Sequence, residues 1–417
     1  MLRRTTGSGR GHWDRRRQLC VLVMGTVLCA GVGAGVGAAK SSAAAPVARA
    51  KKSRRTAPTT GAAPTTAASS SRAAPPKRLI SAEPIGTKID GATGYLVRYR
   101  SQASNGEPIE VTGAAFVPDG TPPKDGWPLL SIAHGTTGLA DACAPSSRLS
   151  FLELNVAKIF LASGIALVQT DYEGLGTPGR HPYLVGVSEG RGVLDIARAA
   201  RELPGNKIGS RVVVWGHSQG GHSALFAGEL AADYAPDLQL VGVVAGAPPS
   251  QLTGISASIE TSPFRGYIFM VAAGLAAADP TLRLDQLLTP KGLETISIVD
   301  TGCTDAVFKA FASGSLSSYV NLDALTKPPW STALARNEPG SRRTGAPILI
   351  VHGDRDEQIP IDTSAALLKK LCALGDNVER KVYPGASHAG AALTSLADVQ
   401  RFVSDRFAGK PATPVCG

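Results

Sequence analysis

Acidic residues are almost missing from the first 78 positions of this chain, and no cysteine or histidine cluster stands at the spacing a metal needs. Each shortage excludes something. Without a Cys-x-x-Cys pair or a Cys/His group at zinc spacing, no metal centre is expected. The N-terminal 78 residues hold 15 Lys and Arg against one acid, Asp14, whereas residues 79–417 hold 28 basic against 32 acidic residues. The formal net charge of +10 therefore belongs to the tail. The folded part is not expected to carry a phosphate-binding groove, and nucleic acid is not an expected partner.

What the tail does have is pattern. Residues 1–18 carry Arg3, Arg4, Arg10 and the run Arg15 to Arg17, and "LCVLVMGTVLCAGVGAGVGAA" at 19–39 is uncharged. A basic start, an apolar middle and a small-residue exit describe an export signal. A retained membrane anchor is the other reading, since residues 19–39 as a helix would reach about 32 Å. Their Gly and Ala content favours processing. Residues 40–78 are almost entirely Ala, Ser, Thr, Pro, Lys and Arg, a linker with too little to bury to fold alone. The expected location is secreted or attached to the cell envelope. Association with a lipid interface would run through the N-terminus or a cap.

Two of the six cysteines fall in the export segment, leaving Cys143, Cys303, Cys372 and Cys416. An even number in an exported chain suggests two disulfides rather than free thiols. Three pairings are open. The expected one is Cys143–Cys303 with Cys372–Cys416, the second stapling the C-terminus to a helix.

From residue 79 strands and helices alternate. Residues 95–100 and 109–118 read as an antiparallel pair. Continuous apolar runs at 128–135, 165–171, 211–216, 238–248 and 346–354, with a shorter one at 378–383, read as strands. Helices are predicted at 151–163, 188–204, 219–232, 362–374 and 390–407. Repeated strand–helix–strand units predict a mostly parallel sheet with helices on both faces, as one α/β domain over 79–417. Residues 250–343 break the rhythm. They are helical in pattern, and predict a cap inserted between two strands. Chemistry in such sheets sits beyond the carboxyl ends of the strands, where His134, Asp171, Ser218, Asp356 and His388 all fall.

"VVVWGHSQGG" at 212–221 runs from a β-branched strand into a turn of small residues. A bare Gly-x-Ser-x-Gly is weak, but between a strand and a helix it marks a serine held out of the sheet on a strained turn. Gly216 and Gly220 supply the room, and the helix start aims amide groups at the same spot. Serine needs a base and an acid that orients it. His388, in "PGASHAG", lies after the last strand on what reads as a flexible loop. His217 and His222 read as packing residues, His134 and His352 as hydrogen-bonded structural histidines, and His181 lies in a Pro-flanked loop. Asp356 is the expected acid and Asp354 the shaper of its turn. Asp171 precedes Ser218, out of the Ser, Asp, His order of this topology. The expected oxyanion donors are the backbone N–H of Gln219 and, from "HGTTG", that of Thr136, with Thr137 next.

With "GHSQGG", "HGTTG", "DYEGLGTPGRHPYL", "HGDRDEQIP" and "PGASH" on view, residues 80–417 resemble the α/β-hydrolases, specifically the bacterial secretory lipases related to the fungal lipase-A type. The resemblance implies an α/β-hydrolase fold with a helical cap. It implies hydrolysis of carboxylic esters, acylglycerols or simpler acyl esters, without a cofactor, with Ser218, Asp356 and His388 as nucleophile, acid and base. A cysteine just past the oxyanion loop and one near the C-terminus fit it too. The expected function is a secreted serine esterase or lipase working through an acyl-enzyme. Its rivals are a peptidase or acyltransferase on the same residues, or a binding protein of this fold without catalysis.

Overall fold

The computed structural model describes residues 77–86, 89–148, 151–205, 207–254, 259–260 and 262–416. The readings of 1–39 as a signal or anchor, and of all but the end of 40–78 as a linker, lie outside the described residues. Lys77 and Arg78 are described, and Arg78 is anchored rather than free. Its backbone N–H donates to Glu202 Oε1 at 2.8 Å, and its guanidinium lies 3.5 Å from the buried Asp195 carboxylate.

Nine strands form one sheet in the order β1-β2-β3-β5-β4-β6-β7-β8-β9. They are β1 (Leu79–Pro84), β2 (Ala92–Gln102), β3 (Pro108–Pro118), β4 (Trp127–Ala133), β5 (Ala166–Thr170), β6 (Ile208–His217), β7 (Gln239–Gly246), β8 (Ile348–Gly353) and β9 (Val378–Tyr383). β1 was not expected from the sequence. "LISAEP" is short, and its burial pattern does not alternate cleanly. β1 to β3 are antiparallel neighbours, β3 meets β5 antiparallel, and the strands from β4 to β9 run parallel.

The parallel strands are apolar throughout because successive residues feed opposite faces, and both faces are covered. Val212 and Val214 join one core with Val193, Leu194, Leu225, Leu367 and Leu371. Val213, between them, points to the other with Phe160, Val399, Phe402 and Val403. Helices α2 (Gly186–Ala200), α3 (Gln219–Tyr234) and α9 (Ile361–Ala373) thus cover the first face. Helices α1 (Phe151–Leu161) and α11 (Leu396–Phe407) cover the second. Each fully buried aliphatic side chain of this kind contributes roughly 1.5–3 kcal/mol.

Between β7 and β8 the described residues form helices and no strand: α4 (Gly266–Ala278), α5 (Pro290–Thr295), α6 (Thr304–Ala310), α7 (Leu322–Leu325) and α8 (Trp330–Arg336). This insert has its own apolar cluster, in which the Phe269 and Phe311 rings stack 3.4 Å apart. The cluster also takes in Leu139, Tyr183, Leu184 and Val185 from the loops at the sheet's carboxyl edge. Arg180 grips Asp300 with two nitrogens at 2.7 and 2.6 Å. The disulfides pair Cys143 with Cys303 and Cys372 with Cys416. The first fastens the segment after β4 to the insert; the second fastens the C-terminal strip to α9.

Candidate active site

Ser218 stands between β6 and α3 at φ 59° and ψ −126°, a backbone region costly for any residue with a side chain. Its N–H donates to Gly246 O at 2.8 Å, so the strained turn is pinned to the neighbouring strand. The glycines around it are there for space. A Cβ on Gly216 would lie 2.2 Å from Gly220 O, and one on Gly220 would lie 2.0 Å from Ala133 O. The turn thus packs backbone against backbone, and holds Ser218 above the end of β6. Gln219 opens α3, so its N–H is among those a helix leaves without an internal partner.

Asp356 and His388 arrive from the loops after β8 and β9. His388 Nδ1 lies 2.7 Å from Asp356 Oδ2. An ionised carboxylate only accepts, so Nδ1 carries the proton and Nε2 is left as the basic nitrogen. Asp356 Oδ1 accepts the backbone N–H of Gln358 at 2.9 Å and of Ile359 at 2.8 Å. Oδ2 also faces His352 Nε2 at 3.1 Å. Burial pushes the Asp356 carboxyl up. The hydrogen bonds from His352, His388 and the Ile359 amide outweigh that and hold it well below the usual carboxylate range.

His388 does not sit on a flexible loop. It is the first residue of a helix, α10 (His388–Thr394), whose N-cap Ser387 accepts the Gly390 N–H at 3.1 Å. Its own N–H is taken by Glu357 Oε2 at 3.0 Å. The expected last helix over 390–407 is two helices, α10 and α11, meeting at Ser395. The small residues of "PGASHAG" suggested mobility, but they allow close packing instead: a Cβ on Gly353 would lie 2.1 Å from Ala386 O.

His217, the residue before Ser218, lies against His388, the two ring centroids 4.7 Å apart. Burial, then the neighbouring His388, lowers its pKa to about 3, so it is neutral at ordinary pH. Asp354 shapes the turn by accepting the Gly385 N–H at 2.6 Å. Asp171 is occupied elsewhere, by Thr112 Oγ1 at 2.7 Å and the Ser146 N–H at 2.8 Å. His134 is held between Gly135 O and Asp171 O.

Beneath α3 lies a network that sequence reasoning missed. Glu189, fully buried on α2, accepts from the Leu184 N–H at 2.9 Å, Gln219 Nε2 at 2.8 Å and Ser223 Oγ at 2.7 Å, with His222 Nδ1 at 3.3 Å. Gln219 Nε2 also donates to His181 Nε2 at 2.8 Å, while His181 Nδ1 donates to Glu173 O at 2.8 Å. Burial lowers the pKa of His181 to about 4 against the pull of Glu189, so it is a neutral acceptor for the amide. Leu184, in turn, takes a φ of 57°. "DYEGLGTPGRHPYL" is the segment that delivers Tyr172, His181, Tyr183 and Leu184 to this place. The only sequence signal for the network was that block's density of polar and small residues.

Thr136 is near the insert. Its Oγ1 lies 2.8 Å from Tyr183 Oη, and its carbonyl accepts from Thr304 Oγ1 at 3.3 Å. A narrow cleft of about 50 Å³ beside Ser218 is walled by Tyr183, Leu184, Tyr267, Ile268, Val271 and Leu334. A larger apolar cavity, about 290 Å³, opens near Trp215, His217 and Leu393, and Ser218 does not line it.

A model of the secretory lipase family matches residues 148–414. The chain belongs to the secretory lipase family. Similar proteins include Lipase A of Moesziomyces aphidis, 26% identical over 82% of this chain and 78% of that protein. A "probable inactive lipase" of Mycobacterium tuberculosis is 28% identical over 77% of this chain and 75% of that one. Candida antarctica lipase A superposes with a TM-score of 0.72 at 23% identity, covering 81% of this chain and 84% of that one, a likeness of fold. This secretory lipase is a carboxylic-ester hydrolase of lipid esters with an α/β-hydrolase fold. It works outside the cytoplasm, where its two disulfides persist.

Proposed function

We propose that Ser218 is the nucleophile of this hydrolase, His388 its general base and Asp356 the carboxylate that orients His388. The observation that carries the reading is the 2.7 Å pair of His388 Nδ1 and Asp356 Oδ2, together with a serine at positive φ on a strand-to-helix turn whose preceding residue, His217, has its ring 4.7 Å from that of His388. His388 Nε2 takes the hydroxyl proton as Ser218 Oγ adds to the ester carbonyl. The N–H groups of Gln219 and Thr136 hold the oxyanion. Collapse returns the proton to the leaving alcohol and leaves an acyl-serine. Water, deprotonated by His388, then releases the acid and restores the serine. The insert acts as a cap over Ser218, and the N-terminal segment directs export. Contact with a lipid interface runs through the cap or that segment.

The cleft beside Ser218 is narrow and apolar, which favours short to medium acyl chains. The test is turnover of p-nitrophenyl esters of increasing chain length by the purified protein, with Ser218→Ala as control. Hydrolysis of the shorter esters that falls by a factor of at least about 10³ in the variant supports the reading. Equal turnover by both, or cleavage of aminoacyl amides in preference to esters, overturns it.

A further inference from the structure

We propose that His352 is a positioning residue for the reaction, its Nε2–H shared between Ile359 O and the Asp356 carboxylate so that it sets how strongly this carboxylate holds the proton on His388. The inference rests on the reading of Ser218, His388 and Asp356 given above.

His352 is the next-to-last residue of β8, and its side chain is fully buried. Its Nε2 hydrogen-bonds Ile359 O at 3.1 Å and lies 3.1 Å from Asp356 Oδ2. Both only accept, so Nε2 carries the proton and donates. Nδ1 is buried without a hydrogen-bond partner, so a second proton there would have none either. Burial of an unpaired N–H, and still more of a charge, is costly. The imidazole is therefore the Nε2–H tautomer, donating from that nitrogen alone. Ile359 O is part of the same turn whose N–H groups grip Asp356 Oδ1, so one ring ties the strand, the turn and the carboxylate together.

Asp356 Oδ2 then serves two imidazoles. His388 takes up and gives back a proton in every cycle, while His352 only donates. A donor on the same oxygen withdraws charge from it, and weakens its hold on the imidazolium. It leaves the carboxylate less basic than the proton on His388 requires for transfer, so the proton stays on the base until the leaving group takes it. Other groups facing this cluster are His217 against the His388 ring, Glu357 on the His388 N–H, Asp354 on the adjoining turn, and Tyr267 from α4. None of these groups hydrogen-bonds Asp356 Oδ2.

The test reads the rate of Ser218 phosphonylation by a fluorophosphonate against pH, in the wild type, His352→Phe and His352→Gln. In the wild type the rate falls on the acid side as His388 is protonated. Without the donor the carboxylate holds the imidazolium more tightly, so in His352→Phe this limb moves up by about one pH unit, with about tenfold slower labelling at pH 6. His352→Gln, whose amide N–H can reach the same oxygen, keeps the limb near its wild-type place. A limb unmoved in His352→Phe overturns the proposal, as does one equally displaced in both variants. A wild type that is not labelled at Ser218 overturns the underlying triad instead. Should the variants fail to fold, ¹⁵N-histidine NMR of the wild type decides. An Nε2–H tautomer of His352 that stays neutral while its shift follows His388 supports the proposal. An Nδ1–H tautomer overturns it.

Discussion

The hydroxyl of Tyr267, on the insert's helix α4, donates to Gln358 Oε1 at 2.7 Å. Gln358 lies two residues beyond Asp356, and its backbone N–H holds that carboxylate. The insert is thereby latched to the loop that carries Asp356. One such bond contributes about 1 kcal/mol. Tyr267→Phe should release the cap, raising turnover of monomeric esters about fivefold and narrowing the gap between monomeric and emulsified substrate. Kinetics on both sides of the substrate's solubility limit measure it. An unchanged ratio would show the latch to be incidental.

Gly220 cannot become alanine without a collision, because the new carbon would lie 2.0 Å from Ala133 O and 2.9 Å from His134 O. Those are backbone atoms of a central strand and its exit, with no side chain to swing away. Gly220→Ala should cost more than about 3 kcal/mol and remove nearly all esterase activity. Soluble yield and melting temperature report the first, and ester turnover the second.

Removing the Glu189 carboxylate takes an acceptor from four groups at once, Leu184, Gln219, Ser223 and His222, and leaves the buried Leu184 N–H unpaired. A loss of this kind costs roughly 3–5 kcal/mol. Glu189→Ala should unfold at much lower denaturant. Where it still folds, kcat should drop more than KM rises, since Gln219 loses one of the two partners that hold its amide. A stable, fully active variant would refute this role.

The two disulfides should separate in their effects. The segment around Cys303 pairs with Gly138 and donates from the Thr304 N–H to Thr137 O at 3.0 Å, next to the expected oxyanion donor. Cys143→Ser with Cys303→Ser should lower kcat as well as the melting temperature. Cys372→Ser with Cys416→Ser should lower only the melting temperature, because that link only holds the C-terminal strip to α9. Loss of either bridge costs about 2–5 kcal/mol, readable by thermal denaturation of the paired variants.

Acid should weaken this fold from near pH 6.5 downward. His181 and His217 are held neutral, with pKa values of about 4 and about 3, while the same side chains unfolded take up protons near 6.5. Between those limits the unfolded chain binds more protons, so stability falls as pH falls. The slope is roughly 1 kcal/mol per pH unit for each group. Unfolding followed between pH 7 and 4.5 should show it, and His181→Gln should flatten the slope. A melting temperature constant over that range would contradict the neutral, buried state of both rings.

The sequence by itself settled the run of strands from β2 to β9 along the chain. Continuous apolar runs such as "VVVW" and "ILIVHG" have to be buried on both faces, so they announce a parallel sheet without any partner being known. It also settled the turn at Ser218, since only glycine fits a backbone packed on backbone, and the residue types after β8 and β9 that end up paired. Tertiary structure decided the rest. His352 and His217 carry no local mark of their partners, because a hydrogen bond from strand to loop depends on where the loop lands. Glu189 reads as one more acid on a helix, and only packing shows it buried under α3. His388 reads as loop because its neighbours are small, yet the Ser387 cap and the close approach of Gly353 make it the start of a helix. Local pattern fixes what a segment can become; long-range contacts fix what each side chain meets.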